Sequence, residues 1–346
     1  MIKAKVNQFK NVVSNLSGNM AIFATAFDLD AVVSGLALKH ILENINKDLR
    51  IDIFYGGDIG SSQSRAIVAT YNLNEYISQA KYYKKESYQY VALVDSSNTT
   101  DARCEGVNDI DPVIVIDHHR ESHLTESENK FFWIDNVNAT ATLITELAHE
   151  LKINFPSYLM ALLALAIHSD TKAFEKAENR EYKALAWLTQ KEGVSFAVGK
   201  QIAYTLPQSY YEQELLAHNN KVREESWLIT SLEFIPGSDG DNIGMIADKF
   251  ARQEGLTLVI AWAIIDNSYV RVSVRSSDVI VPIGEIMQRF GASSGFKTTS
   301  NGKTEGGARI TLESLKPWFT ENTKKELLAL VSKYINSTIF QNKKAP

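Results

Sequence analysis

Three short apolar runs in the first half of the chain each end in acidic or histidine residues, and this pattern restricts the fold more than any other feature. The runs cover residues 20–30 (MAIFATAFDLD), 90–95 (YVALVD) and 112–119 (PVIVIDHH). Short runs rich in Val and Ile are typical of strands that are buried on both faces of a parallel sheet. The carboxyl ends of such strands meet at one edge, where ligands bind. We therefore expect one site there, formed by Asp28, Asp30, Asp95, Asp117, His118 and His119.

The first half alternates between strand and helix patterns. A helical pattern follows the first run over residues 31–47, and a strand at 51–55 precedes another helix at 63–71. This alternation predicts an α/β fold with an open parallel sheet and helices on both faces. We place this domain at residues 1–190 and a polar helical connector at residues 191–225.

The second half has a different pattern. Two strand patterns at 257–265 and 269–276 flank a short polar turn, which predicts a hairpin with one face open to solvent. Helical patterns surround it, so residues 226–346 are predicted to form a smaller α+β domain that ends in a helix. We expect substrate to bind in a cleft between the two domains, a usual place for pockets.

Composition narrows the class of protein. The 346 residues carry a net charge of −5, which argues against a protein that wraps long duplex nucleic acid. The single Cys104 excludes a disulfide framework and fits a reducing compartment. The longest apolar helix pattern, residues 158–167, is shorter than the roughly 20 residues that a membrane span needs. We therefore predict a cytoplasmic protein that binds neither membrane nor long duplexes.

The clustered acids and histidines would repel one another unless a cation lies among them. Asp28 and Asp30 are one residue apart, and two cations about 3.5–4 Å apart need a bridging oxygen ligand, for which Asp95 is the candidate. Oxygen donors with few imidazoles suit manganese or magnesium. The alternative for Asp28 and Asp30 is a capped helix start. The alternative for His118 and His119 is a solvated loop, and Asp170, after the apolar helix, is either a surface residue or a ligand.

Four motifs in this order resemble those of the DHH phosphoesterase superfamily, in particular the branch of nanoRNases and 3′-phosphoadenosine 5′-phosphate phosphatases. They are FDLDA at 27–31, LVDSS at 93–97, VIDHH at 115–119 and IHSDTKAF at 167–174. Residues 56–66 (GGDIGSSQSRA) and 140–147 (TATLITEL) are similar to further family segments. In the second half, residues 270–277 (VRVSVRSS) and 306–310 (GGARI) resemble the DHH-associated substrate-binding domain. The resemblance spans nearly the whole chain.

The resemblance implies roles for individual residues. It implies a site for two Mn²⁺ or Mg²⁺ ions, with Asp95 between them and the ligands Asp28, Asp30, Asp95, His118 and Asp170. It implies that His119 contacts the phosphate, and we count His119 and Asp117 as the catalytic residues. The substrate contacts implied in the second domain are Ser273, Arg275, Lys297, Gly306, Gly307 and Arg309.

Three histidines of the family pattern are absent. The histidine that precedes the first aspartate by four residues is replaced by Ala24, and the loop histidine aligns with Ser61. The GGH motif of the second domain appears as residues 294–296 (SGF) or 306–308 (GGA). Because the first replacement removes a nitrogen donor, one of the two ions is predicted to bind more weakly.

The function implied is a metal-dependent phosphodiesterase or phosphatase, an oligoribonuclease-like hydrolase. It would act on short oligonucleotides or small nucleotides through water attack activated by two metals. An alternative from another class is a family member with weakened catalysis that binds a nucleotide or a protein partner as a regulator. A pyrophosphatase or polyphosphatase is a third candidate. The candidate assembly is a homodimer.

Overall fold

The computed structural model describes residues 2–25, 27–59, 62–97, 110–119, 124, 127–202, 206–277, 281, 283–291, 294–298, 303–312, 320 and 323–340. The elements up to residue 202 form one compact unit, and the elements from residue 206 onward form another. Each unit contains its own six-stranded sheet.

The sheet of the first unit is parallel throughout. Its strands are β1 (Gly18–Ala24), β2 (Leu49–Tyr55), β3 (Ile77–Gln79), β4 (Tyr90–Val94), β5 (Ile114–Asp117) and β6 (Phe131–Ile134). Their order in the sheet is β3-β2-β1-β4-β5-β6, and every neighbouring pair runs in the same direction. The chain changes direction across the sheet between β1 and β4, which is the position where ligands bind in open sheets of this type.

Helices flank this sheet. They are α1 (Ile2–Ser14), α2 (Leu29–Ile45), α3 (Ser62–Thr70), α4 (Thr140–Leu151), α5 (Ser157–Asp170), α6 (Asn179–Thr189) and α7 (Val194–Ile202). Their apolar residues form one buried cluster with strand residues such as Ile22, Ile53 and Ile116. The predicted α/β fold with a parallel sheet flanked by helices is confirmed.

The opposite face of the sheet has a different cover. Its strand residues include Phe23 and Phe54, and the rings of Tyr83 and Tyr88 pack on them. Both tyrosines follow short 3-10 turns in the connection from β3 to β4. In the part of this connection that the structure describes, bulky aromatic side chains therefore take the place of a longer helix.

The second unit is an α+β domain, as predicted. Its strands are β7 (Val222–Glu224), β8 (Trp227–Ile235), β9 (Leu258–Ile265), β10 (Tyr269–Ser276), β11 (Ser294–Thr298) and β12 (Thr304–Thr311), in the order β11-β12-β10-β9-β8-β7. Only the β8–β9 pair is parallel among these described strands, and β9 with β10 forms the predicted hairpin. The prediction that one face of this hairpin is open to solvent is wrong, because α9 packs on both strands and every residue of β9 is buried. The helices are α8 (Gln208–Asn219), α9 (Asn242–Ala251), α10 (Ile283–Arg289) and α11 (Lys324–Phe340).

The stretch predicted as a connector is divided between the two units. In the first unit, α7 packs on α5 and buries Val194 and Val198. In the second, α8 packs on β8 and buries Tyr210 and Ala217. Because each helix has apolar residues to bury, each joins the unit beside it.

No helix in the described ranges is both long and apolar enough to cross a membrane.

Candidate metal centre

The predicted ligands come together at the carboxyl edge of the first sheet. Asp28 lies four residues beyond β1, Asp95 directly follows β4, and Asp117 is the last residue of β5. Two groups of side chains have ligand atoms within 4.8 Å of one another. The groups are Asp95 with His118 and His119, and Asp30 with His118 and Asp170. Since His118 belongs to both, these residues form one centre.

His118 has a fixed orientation in this centre. Its Nδ1 lies 3.2 Å from the carbonyl oxygen of Val137. Its Nε2 lies 3.3 Å from Asp95 Oδ1 and 3.4 Å from Asp170 Oδ2. A carbonyl oxygen only accepts hydrogen bonds, so Nδ1 carries a proton, and a ring protonated only there turns its Nε2 lone pair toward two carboxyl groups. Two ionised carboxylates would repel this lone pair, and a proton on the ring or on a carboxyl, or a cation between these atoms, removes the repulsion.

Asp95 adopts a backbone conformation that is rare outside glycine. Its φ is +57°, and its N–H donates to the Ile116 carbonyl at 3.0 Å. A residue with a side chain loses about 1–2 kcal/mol in this left-handed region, so the surrounding structure must hold it there. The Thr140 hydroxyl donates to Asp95 Oδ1 at 2.9 Å. The side chain of Asp95 is thus held at the centre at the cost of local strain.

Asp28 and Asp30 also cap helices. Asp28 Oδ1 accepts the Ala31 N–H at 2.8 Å and so caps α2. Asp30 accepts the N–H groups of Thr140 at 2.6 Å and Ala141 at 2.8 Å, both in the first turn of α4. The predicted capped helix start is therefore correct for Asp28, whereas Asp30 lies inside α2 and caps α4 instead. Capping leaves lone pairs available, because an ionised carboxylate offers about four acceptor sites.

The carboxylates in this centre are hard to ionise together. Asp28 is an exposed residue, but desolvation of its carboxyl by the surrounding groups and the charge of Asp170 raise its pKa to about 6. Burial, followed by the charges of neighbouring acids, raises the pKa of Asp30 and of Asp95 well above the ordinary value. A divalent cation would remove this penalty. Several carboxylate oxygens with one imidazole nitrogen are a donor set that suits Mn²⁺ or Mg²⁺.

Asp117 and His119 form a hydrogen-bonded pair beside the ligands. Asp117 is fully buried, and its Oδ1 accepts from His119 Nδ1 at 2.7 Å and from the His119 backbone N–H at 3.1 Å. Burial acts to raise the pKa of Asp117, but the His119 hydrogen bonds outweigh it and the pKa is lowered. The same bond raises the pKa of His119, whose ring is half-exposed. With Nδ1 bound to Asp117, Nε2 is the ring atom left for a substrate.

Comparison with known proteins identifies the first unit. Residues 19–167 match the family model described as DHH family, N-terminal domain. These residues therefore form a DHH family N-terminal domain. The domain is related to phosphoesterases, and it contains the paired histidines at 118 and 119.

Individual relatives are distant. The uncharacterised protein MJ1633 of Methanocaldococcus jannaschii is 24% identical over 317 residues, which cover 88% of this chain and 62% of that protein. The Bacillus subtilis cyclic-di-AMP phosphodiesterase GdpP is 25% identical over 294 residues, covering 80% of this chain and 44% of GdpP. This chain therefore spans less than two thirds of either relative.

A solved structure shares the fold. The crystal structure of an exopolyphosphatase-related protein from Bacteroides fragilis has a TM-score of 0.69. The two sequences are 13% identical, and the match covers 96% of this chain and 98% of the other. At this identity the likeness shows the fold alone.

Two contacts of the DHH centre were not predicted from the sequence. Thr140 contributes its hydroxyl to Asp95 and its backbone N–H to Asp30. Residues 140–147 are similar to a family segment that begins a helix, and the threonine at its start was the feature from which this contact could have been predicted. The Val137 carbonyl that orients His118 left no signal, because every residue has a carbonyl group.

The residues that stand in place of the family's histidines lie in different structural environments. Ala24, the last residue of β1, is fully buried and lies in register with Tyr55 of β2 and Val94 of β4. Ser61 lies outside the described residues. At the two candidate positions in the second unit, Phe296 is 52% exposed on β11, whereas Ala308 is buried on β12.

The substrate contacts predicted in the second unit fall into two groups. Arg275 makes a bidentate ion pair with Asp248 of α9 at 2.6 and 3.2 Å, and Ser273 is buried on the same face of β10. A Cβ atom at Gly244 of α9 would lie 3.4 Å from Arg275 Nη2 and 3.9 Å from Ser273 Oγ. The structure thus gives Ser273 and Arg275 a role in packing α9 on the sheet. Their contact with substrate stays a prediction.

The remaining predicted contacts lie on β11 and β12. Gly307 and Arg309 are exposed, and Gly306 is half-buried. The Arg309 guanidinium lies 3.8 Å from the ring centre of Tyr269. Lys297 belongs to β11, but its side chain lies outside the described residues. Of the two arginines in this set, Arg309 is the exposed one and Arg275 is partly buried.

Proposed function

We propose that this protein is a metal-dependent phosphodiesterase or phosphatase that hydrolyses short oligonucleotides or small nucleotides. The observation that carries the proposal is the setting of His118, whose Nε2 faces Asp95 and Asp170 while Nδ1 bonds to Val137. A protein that only binds nucleotides has no need to bury several carboxylates around an imidazole, because their desolvation is costly. The match of residues 19–167 to the DHH family N-terminal domain supports the same reaction class.

Two ion positions with unequal donor sets are proposed. Asp30, Asp95, His118 and Asp170 would hold one ion, and Asp28 with Asp95 would hold the other. The second position has fewer protein donors, because Ala24 stands where the family has a histidine. When bound, a pair of Mn²⁺ or Mg²⁺ ions can activate a water molecule and polarise a phosphoryl oxygen.

The pair of His119 and Asp117 is proposed to manage a proton at the phosphate. The Asp117 carboxylate holds His119 Nδ1–H at 2.7 Å and stabilises the protonated ring. A protonated His119 donates a hydrogen bond from Nε2 to a phosphoryl oxygen or to the leaving oxygen. Asp117 thereby fixes the orientation of the ring and does not itself contact substrate.

Nucleotides are favoured over inorganic polyphosphate as the substrate class. Arg309 offers an exposed guanidinium next to an aromatic ring, a combination that suits phosphate oxygens and a base. GdpP, by its name, is a phosphodiesterase that acts on cyclic di-AMP. A regulator with weakened catalysis is the second candidate, because Ala24 removes one nitrogen donor.

The hydrolase and the regulator with weakened catalysis differ in whether they turn over a substrate. The purified chain is incubated with Mn²⁺ or Mg²⁺ and with a labelled RNA dinucleotide, 3′-phosphoadenosine 5′-phosphate, cyclic di-AMP, pyrophosphate and polyphosphate. The Asp95→Asn variant is the control. We expect mononucleotide or phosphate release from a nucleotide substrate in wild type only. No turnover in either metal, in folded protein that binds nucleotide, would favour the regulator, and turnover of pyrophosphate or polyphosphate alone would reassign the substrate.

A further inference from the structure

The orientation of His118 depends on a loop that carries no regular structure. Its Nδ1 bonds to the carbonyl of Val137, which lies between β6 and α4. A histidine can offer Nε2 to a cation only if the proton stays on Nδ1, and the acceptor at Nδ1 selects that tautomer. Whatever fixes the Val137 carbonyl therefore also fixes the ligand.

One end of this loop is held by Arg180. Its Nη1 donates to Asp135 Oδ2 at 2.8 Å, two residues before Val137. The same guanidinium binds both carboxylate oxygens of Glu146 on α4, at 2.8 and 2.6 Å. Arg180 thus ties the start of the loop to the helix that follows it.

The other end is held by the next residue, Glu181. Its Oε1 accepts the Asn138 N–H at 2.9 Å, one residue after Val137. Its Oε2 accepts the Glu178 N–H at 2.9 Å, which closes a capping box at the start of α6. Glu181 is 1% exposed. Both carboxylate oxygens of Glu181 accept hydrogen bonds, and these bonds hold the buried side chain in one orientation.

We infer that Arg180 and Glu181 are positioning residues for the metal ligand His118. Neither residue belongs to the metal centre, yet the two hold the chain on either side of the Val137 carbonyl. This sequence of contacts leads from α6 through the loop to His118 Nδ1, and it sets the tautomer and the ring orientation. The inference deepens the proposed function, on which its metal-binding consequence rests.

The test compares Glu181→Ala with two other variants of α6. Leu188→Ala is the matched destabilising control, because Leu188 is fully buried in the same helix and its side chain makes none of the hydrogen bonds described above. Glu181→Gln is the conservative variant, since its amide oxygen still accepts from Asn138. Mn²⁺ affinity is measured by electron paramagnetic resonance at a temperature where circular dichroism shows every variant to be folded.

We expect Glu181→Ala to weaken Mn²⁺ binding about 10–100-fold, as is usual when a partner behind a metal ligand is lost. Glu181→Gln should recover most of the affinity, and Leu188→Ala should retain it despite a lower melting temperature. Unchanged affinity in Glu181→Ala, or an equal loss in Leu188→Ala, would overturn the inference.

A second measurement does not depend on metal. In ¹⁵N-histidine-labelled, metal-free protein, the ring nitrogen shifts of His118 report its tautomer among the seven histidines. Wild type and Leu188→Ala should show the Nδ1–H form, and Glu181→Ala a mixture of both forms. If wild type binds no Mn²⁺, the proposed function fails, but a tautomer change confined to Glu181→Ala still supports the positioning role. An unchanged tautomer in Glu181→Ala would overturn that role.

Discussion

The carboxylate of Asp30 accepts the backbone N–H of Thr140 at 2.6 Å across 110 positions of sequence. Asp30 lies in the first turn of α2, and Thr140 begins α4. Ala139, the residue before α4, has no side-chain oxygen with which to cap the helix. Asp30 takes over this task, so a residue proposed to hold metal also joins two helices at the site.

Replacement of Asp30 is therefore expected to affect stability as well as activity. Asp30→Ala leaves the Thr140 and Ala141 N–H groups without their acceptor in a buried position, which costs about 1–3 kcal/mol. Urea unfolding of metal-free protein measures this loss. An unfolding midpoint equal to that of wild type would show that the cap contributes nothing.

Asp95→Asn is expected to separate stability from function. Asparagine tolerates a positive φ better than most residues, and the change removes a buried charge beside Asp28 and Asp170. The metal-free variant should be as stable as wild type or up to about 1 kcal/mol more stable. Hydrolysis and Mn²⁺ binding at this position should both be lost. Turnover at the wild-type rate in the folded variant would remove Asp95 from the reaction.

Metal-free protein should lose stability as the pH rises. The pKa of Asp28 is about 6 in the folded chain against an ordinary 3.8, and those of Asp30 and Asp95 are also raised. Groups with raised pKa values stabilise the fold fully below their unfolded pKa, and this stabilisation is lost as pH rises through the folded pKa. The melting temperature without metal should therefore fall between about pH 4 and 7.

Added Mn²⁺ should reverse this trend, because it neutralises the ionised carboxylates. The rise in melting temperature on adding Mn²⁺ should be larger at pH 7.5 than at pH 5. The Asp95→Asn variant, measured in parallel, should show a smaller rise. Equal effects of Mn²⁺ at both pH values would contradict proton competition at these carboxylates.

The two metal positions should differ in affinity. Calorimetric titration of wild type with Mn²⁺ should show one tight site and one weak site, because Ala24 offers no nitrogen donor. Ala24→His should tighten the second site, with Ala24→Leu as the size control for a fully buried position. Two equally tight sites in wild type would contradict the role given to Ala24.

Arg275 is expected to matter for the stability of the second unit. Its bidentate pair with Asp248 should give a coupling of about 1 kcal/mol in a double-mutant cycle with Arg275→Ala and Asp248→Ala. Nucleotide affinity is measured in the same variants and in Arg309→Ala, which removes an exposed guanidinium. A zero coupling together with a large loss of nucleotide affinity in Arg275→Ala would restore its predicted role as a substrate contact.

The meeting of the ligands could be predicted from the sequence for a simple reason. Parallel strands end at a common edge, so the acids and histidines after β1, β4 and β5 had to lie near one another. The left-handed φ of Asp95 could not be predicted in the same way, because its neighbours impose it. The cap that Asp30 provides for α4 depends on a contact between distant segments, which local patterns do not reveal.

In the second unit, the strands could be predicted from the sequence, but an important side-chain pairing could not. The pattern of residues 257–276 correctly predicted two paired strands, but not that both faces are covered. The pattern gave no indication that α9 would bring Asp248 onto Arg275, because this pairing depends on packing between a helix and a strand from separate segments. A charged side chain on an open strand face and one beneath a helix look alike in sequence.

The central claim is that carboxylates from separate segments and His118 hold a divalent cation. Crystals of the whole chain soaked in Mn²⁺, with diffraction recorded near the manganese absorption edge, test it most directly. We predict an anomalous peak among Asp30, Asp95, His118 and Asp170, with a weaker second peak near Asp28. No peak there at saturating Mn²⁺ would contradict the account.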